Sequence, residues 1–153
     1  MNLCVMKKLI LKQTNMTNEI KFEVSRTLPP KEIYEECVKR FGADFMKGTI
    51  FAYDNKIHAL NDVTGDLLAH ELVHLDQQHK FGGAKKWWKK YLSDSKFRIE
   101  QEVEAYQNQW DWAKENANRD YRRALEKHIL KMLSSKLYGK VITKKEAQKL
   151  VIF

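Results

Sequence analysis

The sequence lacks the features that mark membrane-spanning and exported proteins. No stretch of its 153 residues approaches the roughly 18 uninterrupted apolar residues of a membrane-spanning helix. Residues 1–18 hold short apolar pieces broken by lysines, without the order of charged, apolar and small residues that a secretion signal has. These two absences argue against a membrane span and against export, so we expect a cytoplasmic location.

Cysteine is also scarce. Cys4 and Cys37 form no CxxC pair and cannot build a dense disulfide framework. Cys37 falls on the apolar side of a predicted helix, which favours a packed thiol over a reactive one. The sequence shows no internal repeat, low-complexity tract or obvious linker, so its length predicts one domain over residues 1–153, of which residues 1–16 are expected to be disordered.

The net charge of +8 is unevenly distributed along the chain. Residues 1–80 hold 11 Lys/Arg and 11 Asp/Glu, whereas residues 119–149 hold 10 Lys/Arg and only three acidic residues. A basic C-terminal part, residues 119–153, is compatible with binding to nucleic acid or another polyanion. A solvated helical surface, on which lysines cover apolar neighbours, explains the same excess. Charge alone therefore identifies no partner.

Local patterns predict an α+β chain whose strands lie in the N-terminal half. Residues 18–24 alternate between apolar and charged side chains, as in a half-buried strand. Residues 49–53 and 56–60 are typical of two further strands around a turn at Asp54-Asn55. Helices are predicted approximately over 31–40, 64–80, 85–92, 95–116, 121–133 and 144–152. The fold class is therefore a small N-terminal mixed sheet with helices, followed by a helical C-terminal half.

The helix predicted over 64–80 contains His70-Glu71-Leu72-Val73-His74, an HExxH sequence. At about 100° per residue the two histidines lie one turn apart on the same face, so both imidazoles can reach one metal ion. Glu71 lies on the adjoining flank, suited to a water molecule on that metal rather than to the metal. Zinc lowers the pKa of such a water to about 7, and a nearby carboxylate can take its proton. This spacing predicts His70 and His74 as zinc ligands and Glu71 as the catalytic base.

A catalytic zinc usually has three protein ligands, so a third is expected elsewhere in the chain. A histidine six residues after His74, as in metzincins, is absent because position 80 is lysine. His79 lies about 180° from His70 around the helix and faces away. The remaining source is the helix predicted over 95–116, which carries three glutamates at positions 100, 102 and 104.

Helical geometry distinguishes these three glutamates. The apolar residues near Ile99 define the buried stripe of the helix, and Glu102 lies about 60° from the centre of that stripe. Glu100 and Glu104 lie near 100° and 140°, among polar residues. A carboxylate at the margin of a buried face is costly unless it is paired or binds a metal. Glu102 is therefore the predicted third ligand, and Glu104 is the second choice.

With two histidines from HExxH and a glutamate from a downstream helix, the sequence resembles the gluzincin branch of the zincin metallopeptidases. The segment from Glu102 to Ala105 matches the E-x-x-A form seen around the third ligand in several such families. Those families often carry Asp four residues after the ligand, where this chain has Tyr106. In size the chain is most similar to minigluzincins and small metallopeptidases of bacterial and phage genomes. The resemblance covers residues 49–112, leaving the first 16 residues and the basic tail without a counterpart.

The resemblance implies a compact zincin-like fold, one zinc ion per chain and an endopeptidase acting on peptide or protein substrates. In such a fold the small sheet lies over the HExxH helix, and an edge strand, 49–53 or 56–60, pairs with an extended substrate. Gln77 points along the ligand face and fits both an orienting role and simple core packing. The donor that stabilises the oxyanion stays open among several side chains, namely Tyr53, His58, Tyr106, Tyr121 and His128.

The basic segments support a second hypothesis of a different class. Residues 119–149 and the lysine-rich segment 85–90 also suit a nucleic-acid-binding domain whose zincin core is structural or inactive. Glu71 weighs against this hypothesis, because a purely structural zinc site has no need of it. The sequence therefore favours a zinc-dependent metallopeptidase, with nucleic-acid binding as the alternative.

Overall fold

The computed structural model of the chain describes residues 20–153, so the predictions for residues 1–16 and Cys4 lie outside the described residues. Three short strands, β1 (Glu23–Ser25), β2 (Phe51–Tyr53) and β3 (Lys56–His58), form a sheet of order β1-β3-β2. β3 pairs antiparallel with β2 and parallel with β1. The predicted mixed sheet in an α+β chain is confirmed.

The first strand differs from its prediction over residues 18–24. β1 covers Glu23–Ser25 alone, while Ile20 and Phe22 are half-buried against the core without being part of the described strand. Val24 lies in register with the fully buried Ile57, yet 39% of it is exposed. The predicted burial therefore holds for Ile20 and Phe22 but not for Val24, because β1 is an outer strand that pairs over three residues only.

Seven α-helices lie in the described residues, and six of them correspond to predicted helices. They are α1 (Lys31–Phe41), α2 (Ala43–Met46), α3 (Gly65–Lys80), α4 (Ala84–Ser93), α5 (Ser95–Asn116), α6 (Arg119–Leu133) and α7 (Lys144–Leu150), with a short 3₁₀ turn at Lys136–Tyr138. α1 ends at Gly42, whose φ of 93° suits glycine. The predicted capping box of Thr143 and Glu146 begins α7. α2 was missed, because four residues are too few to show a helical period.

α3 is the central helix, and it packs along α5. The N-terminal end of α3 lies against the C-terminal end of α5. A Cβ atom on Gly65 would lie 2.2 Å from the ring of Trp112. Asn108 of α5 donates a 2.7 Å hydrogen bond to the carbonyl of Ala69. These contacts fix the position of α3 along the axis of α5. That position determines which residues of α5 lie opposite the histidines of α3.

Apolar side chains around α3 and α5 form three clusters. One joins the sheet to α3, a second joins α1, α2 and α4 to β2, and a third joins α5, α6, α7 and the 3₁₀ turn. Twelve of the sixteen residues of α3 are buried. Within residues 20–153, no helix reaches the length and hydrophobicity of a membrane span.

Candidate metal centre

His70 and His74 of α3 and Glu102 of α5 converge at one point. The Nε2 atoms of the two histidines are 3.1 Å apart. The Glu102 carboxylate faces both, with Oε2 at 3.4 Å from His70 Nε2 and Oε1 at 3.4 Å from His74 Nε2. One ligand atom from each residue can be chosen so that all three lie within 4.8 Å of one another. All three residues are buried.

The opposite nitrogens of the two histidines are held by glutamine amides. His70 Nδ1 lies 3.1 Å from Gln109 Oε1, and His74 Nδ1 lies 2.9 Å from Gln77 Oε1. The Nε2 group of Gln109 donates to Asp66 Oδ2 at 2.7 Å. The Nε2 group of Gln77 donates to Glu104 Oε2 at 2.8 Å and to a backbone carbonyl. Because each amide nitrogen faces only acceptors, each amide oxygen must face its histidine.

These amides determine which nitrogen of each imidazole carries hydrogen. An amide oxygen accepts, so both histidines carry a proton on Nδ1, and in a neutral imidazole the lone pair of Nε2 then faces Glu102. Two lone pairs and a carboxylate then converge without a donor between them. Burial alone would lower the pKa of the His74 imidazole, but the Glu102 carboxylate raises that pKa to about 9. Protonated His74 then supplies one donor to this cluster of acceptors. The facing carboxylate and imidazole nitrogens therefore stabilise a positive charge between them.

The spacing of the three side chains fits a zinc ion. Zinc bonds of about 2.0–2.1 Å in tetrahedral geometry place neighbouring ligand atoms roughly 3.3–3.4 Å apart. The distances of 3.1, 3.4 and 3.4 Å between the facing atoms of the cluster are close to this value. Two imidazoles and one carboxylate are a donor set typical of catalytic zinc sites. His70, His74 and Glu102 can therefore hold such an ion with little rearrangement.

Glu102 is fixed by two tyrosine hydroxyls. Tyr91 donates to its Oε1 at 2.5 Å, and Tyr138 donates to its Oε2 at 3.2 Å. Burial would raise the pKa of Glu102, but His74 and His70 together hold that pKa well below its ordinary value. The carboxylate is therefore ionised and oriented towards the histidines. Tyr91 comes from α4 and Tyr138 from the 3₁₀ turn, so two segments outside α5 anchor this one side chain.

Glu71 is placed differently from Glu102. It is only 7% exposed, and its carboxylate has no hydrogen-bond partner within the described part of the chain. Burial raises its pKa above the ordinary value, against the opposing effect of His74 and His70. Its side chain lines a cavity of about 370 Å³ together with all three members of the cluster. The carboxylate is thus free to meet a molecule that enters this cavity.

The other acidic and histidine candidates lie outside the cluster. Glu104, the second choice from the helical arc, is exposed and accepts the hydrogen bond from Gln77. Glu100 and His79 are exposed as well. Gln77 takes the orienting position on His74 that the sequence had left open.

Two of the five oxyanion candidates line the cavity, Tyr106 and His128. The Tyr106 hydroxyl is buried 3.5 Å from that of Tyr138, whereas His128 is exposed and has no hydrogen-bond partner in residues 20–153. The remaining three are engaged or distant from the cavity: Tyr121 donates to Asp66, His58 pairs with Thr27, and Tyr53 is not part of the lining.

The edge of the sheet beside the cavity is β2. Of the two segments predicted as alternatives for the edge, 49–53 and 56–60, the second is excluded, because β3 lies between β1 and β2. Tyr53 and Lys56 flank a two-residue turn, so Ala52 directs its carbonyl away from β3. That carbonyl already accepts from Gln78 Nε2 at 2.7 Å and from Trp88 Nε1 at 3.0 Å. The stretch 48–50, which immediately precedes β2, also lines the cavity.

The supporting residues of the cluster were largely missed by sequence reasoning. Gln109 lies seven residues after Glu102, about two helical turns along the same face, so its position was a detectable signal. Asp66, four residues before His70 on the same helix, gave a similar signal. Tyr91 and Tyr138 gave none, because they come from other elements.

Comparison of the chain with protein-family models, with curated proteins and with solved structures found no match. The functional conclusion therefore rests on the geometry of the cluster and its cavity.

Proposed function

We propose that the chain is a zinc-dependent metallopeptidase, and specifically an endopeptidase, with a zincin-like arrangement of sheet, HExxH helix and glutamate helix. One observation carries the proposal: the Nε2 atoms of His70 and His74 and the Glu102 carboxylate converge beside a free, buried Glu71. A structural metal site needs no such free carboxylate. The cavity lined by all four residues gives a substrate access to them.

When bound, a zinc ion supplies a Lewis acid for a water molecule and for the scissile carbonyl. The chain supplies the proton transfers. Glu71 accepts a proton from the attacking water on its carboxylate and delivers it to the leaving amide nitrogen. Gln109 and Gln77 hold the two imidazoles, while Tyr91 holds Glu102 in register.

Two further roles follow from the cavity lining. The imidazole of His128 is the candidate donor for the developing oxyanion, because it lines the cavity and makes no competing hydrogen bond to residues 20–153. Residues 48–50 are the candidate contact for an extended peptide backbone, because Ala52 is already occupied.

Metal analysis combined with a peptide-cleavage assay tests the proposal. We expect purified protein to hold one zinc per chain and to lose cleavage on treatment with a chelator. Glu71→Gln should retain zinc and lose at least about 100-fold in rate, the usual contribution of a general base. Glu100→Gln is the matched control, since it removes an exposed carboxylate on α5 and should change neither property. Protein that neither carries nor takes up zinc would refute the proposal.

A further inference from the structure

A second and larger cavity, of about 960 Å³, lies beside the metal centre. We call it the basic groove and define it by its cations, which are Lys39, Arg40, Lys85, Lys89, Arg98 and Lys136. These come from α1, α4, the start of α5 and the 3₁₀ turn, so the fold gathers them from distant parts of the chain. Only two acidic residues, Glu32 and Glu36, line the same cavity. The lining of this groove therefore carries an excess of positive charge.

Most of the exposed cations of the groove have no acidic partner. Lys39 lies 4.0 Å from Glu36, the limiting distance for an ion pair. Arg40, Lys89 and Lys136, like Lys85, form no ion pair with any described residue and are exposed. By contrast Lys90, which lies next to Lys89 on α4, forms an ion pair with Asp94 at 2.8 Å. The unpaired ammonium groups of the lysines and the guanidinium group of Arg40 are thus available to an external anion.

Arg98 adds a buried charge to the wall of the groove. It is 1% exposed, and its guanidinium donates to the carbonyls of Tyr91 and Leu92 and to Ser95. Its Nε atom is buried without a hydrogen-bond partner, and no carboxylate lies within ion-pair distance of it among the described residues. A buried charge without a carboxylate in direct contact is costly, and Glu102 acts on Arg98 only from beyond ion-pair distance. An anion in the groove would offset part of that cost.

The basic groove adjoins the cavity of the metal centre. Phe41 and Leu137 line both cavities. A peptide chain with one segment at the cluster can therefore place another segment in the groove. Apolar residues such as Ile33 and Leu92 also line the groove and would contact aliphatic side chains.

We propose that the basic groove is an extended subsite for acidic residues of the peptide substrate, at a distance from the scissile bond. This inference rests on the proposed function and names its substrate class: peptides with aspartate or glutamate clustered to one side of the cleavage point. An acidic peptide suits the lining better than nucleic acid does. Apolar residues of the lining, such as Ile33 and Leu92, would contact the aliphatic groups of a peptide, which a run of phosphates does not have.

Fluorescence anisotropy with the zinc-loaded Glu71→Gln protein tests the proposal without any cleavage. The probes are a labelled glutamate-rich peptide, the same peptide with glutamine in place of glutamate, and a labelled single-stranded DNA. We expect the acidic peptide to bind more tightly than its neutral counterpart, with an affinity that falls as salt increases. The double variant Lys89→Glu/Lys136→Glu should weaken binding of the acidic peptide about tenfold and leave the affinity for the neutral peptide unchanged.

The matched control is Lys86→Glu/Lys145→Glu, which alters the net charge equally at exposed lysines outside the groove. Equal weakening by the two double variants would overturn the proposal, because it would show a general charge effect. Equal binding of the acidic and neutral peptides would also overturn it. Tighter binding of the DNA, lost on Lys89→Glu/Lys136→Glu, would reassign the groove to nucleic acid. Zinc content and peptide cleavage by the unmodified protein test the peptidase proposal separately, so its failure is distinguishable from failure of the groove proposal.

Discussion

The amide of Gln109 offers a sharp test of how the metal centre is built. Its oxygen faces His70 Nδ1 at 3.1 Å, and its nitrogen donates to Asp66 at 2.7 Å. Gln109→Met preserves the length of this 2%-exposed side chain but removes both hydrogen bonds. We therefore expect the imidazole of His70 to lose its orientation while the apolar packing around it stays nearly unchanged.

The magnitude follows from what the hydrogen bond supplies. Loss of a partner behind a metal-ligating histidine typically weakens metal binding 10- to 100-fold, or about 1.4–2.7 kcal/mol. Gln77→Met removes the equivalent bond to His74, which is 2.9 Å long, and should have an effect of similar size. The folded state itself loses about 1–3 kcal/mol because a buried imidazole N–H is left unsatisfied.

Competition with a chromophoric chelator gives the zinc dissociation constant of each variant, and urea unfolding in the presence of chelator gives the stability of the ion-free chain. Gln148→Met is the matched control, because Gln148 is exposed on α7 and makes no hydrogen bond to the described residues. Should Gln109→Met bind zinc as tightly as Gln148→Met, the amide would not orient His70. A change in stability alone, with zinc affinity intact, would limit Gln109 to a structural role.

Three other outcomes are expected from single substitutions. In the same chelator competition, Glu102→Ala should weaken zinc binding more than 100-fold, because it removes a ligand rather than a residue that supports one. Glu104→Ala should weaken zinc binding by about 100-fold at most, since Glu104 only accepts a hydrogen bond from Gln77. Gly65→Ala should lower the free energy of unfolding by about 1–3 kcal/mol in urea titrations, because the new methyl group would overlap a tryptophan ring of α5; an unchanged midpoint would contradict the tight packing. Burial raises the pKa of the Cys37 thiol to about 12, so in a Cys4→Ser background alkylation at pH 8 should occur only after unfolding. Rapid alkylation of the folded protein would refute this burial.

The HExxH pair could be identified from the sequence because its geometry is local. A spacing of four residues places His70 and His74 on one helical face whatever surrounds the helix. Glu102 was accessible by a similar argument, since its margin position on an amphipathic helix implied a buried partner for its charge. The structure brings these three residues together, as the helical arcs predicted, although their role as zinc ligands stays a prediction.

The surroundings of these three residues depended on tertiary contacts. Tyr91 and Tyr138 reach Glu102 from a different helix and from the 3₁₀ turn, and no period along the chain connects them to it. Asp66 supports His70 only through Gln109, whose amide contacts both residues. This contact exists because the packing of α5 along α3 places Gln109 opposite them. Sequence periodicity reports which face of an element is buried, but not which side chain of another element meets that face.

The electrostatics show the same division. The excess of lysine and arginine near the C-terminus was visible in the sequence, and it indicated no partner. Tertiary structure brings Arg40, Lys89 and Lys136 together around one cavity and places that cavity next to the metal centre. The sequence by itself determined the residues that can hold a metal ion, since their spacing lies within single helices. Only the tertiary structure decided what orients those residues and which charges adjoin them, because those contacts join segments far apart in the chain.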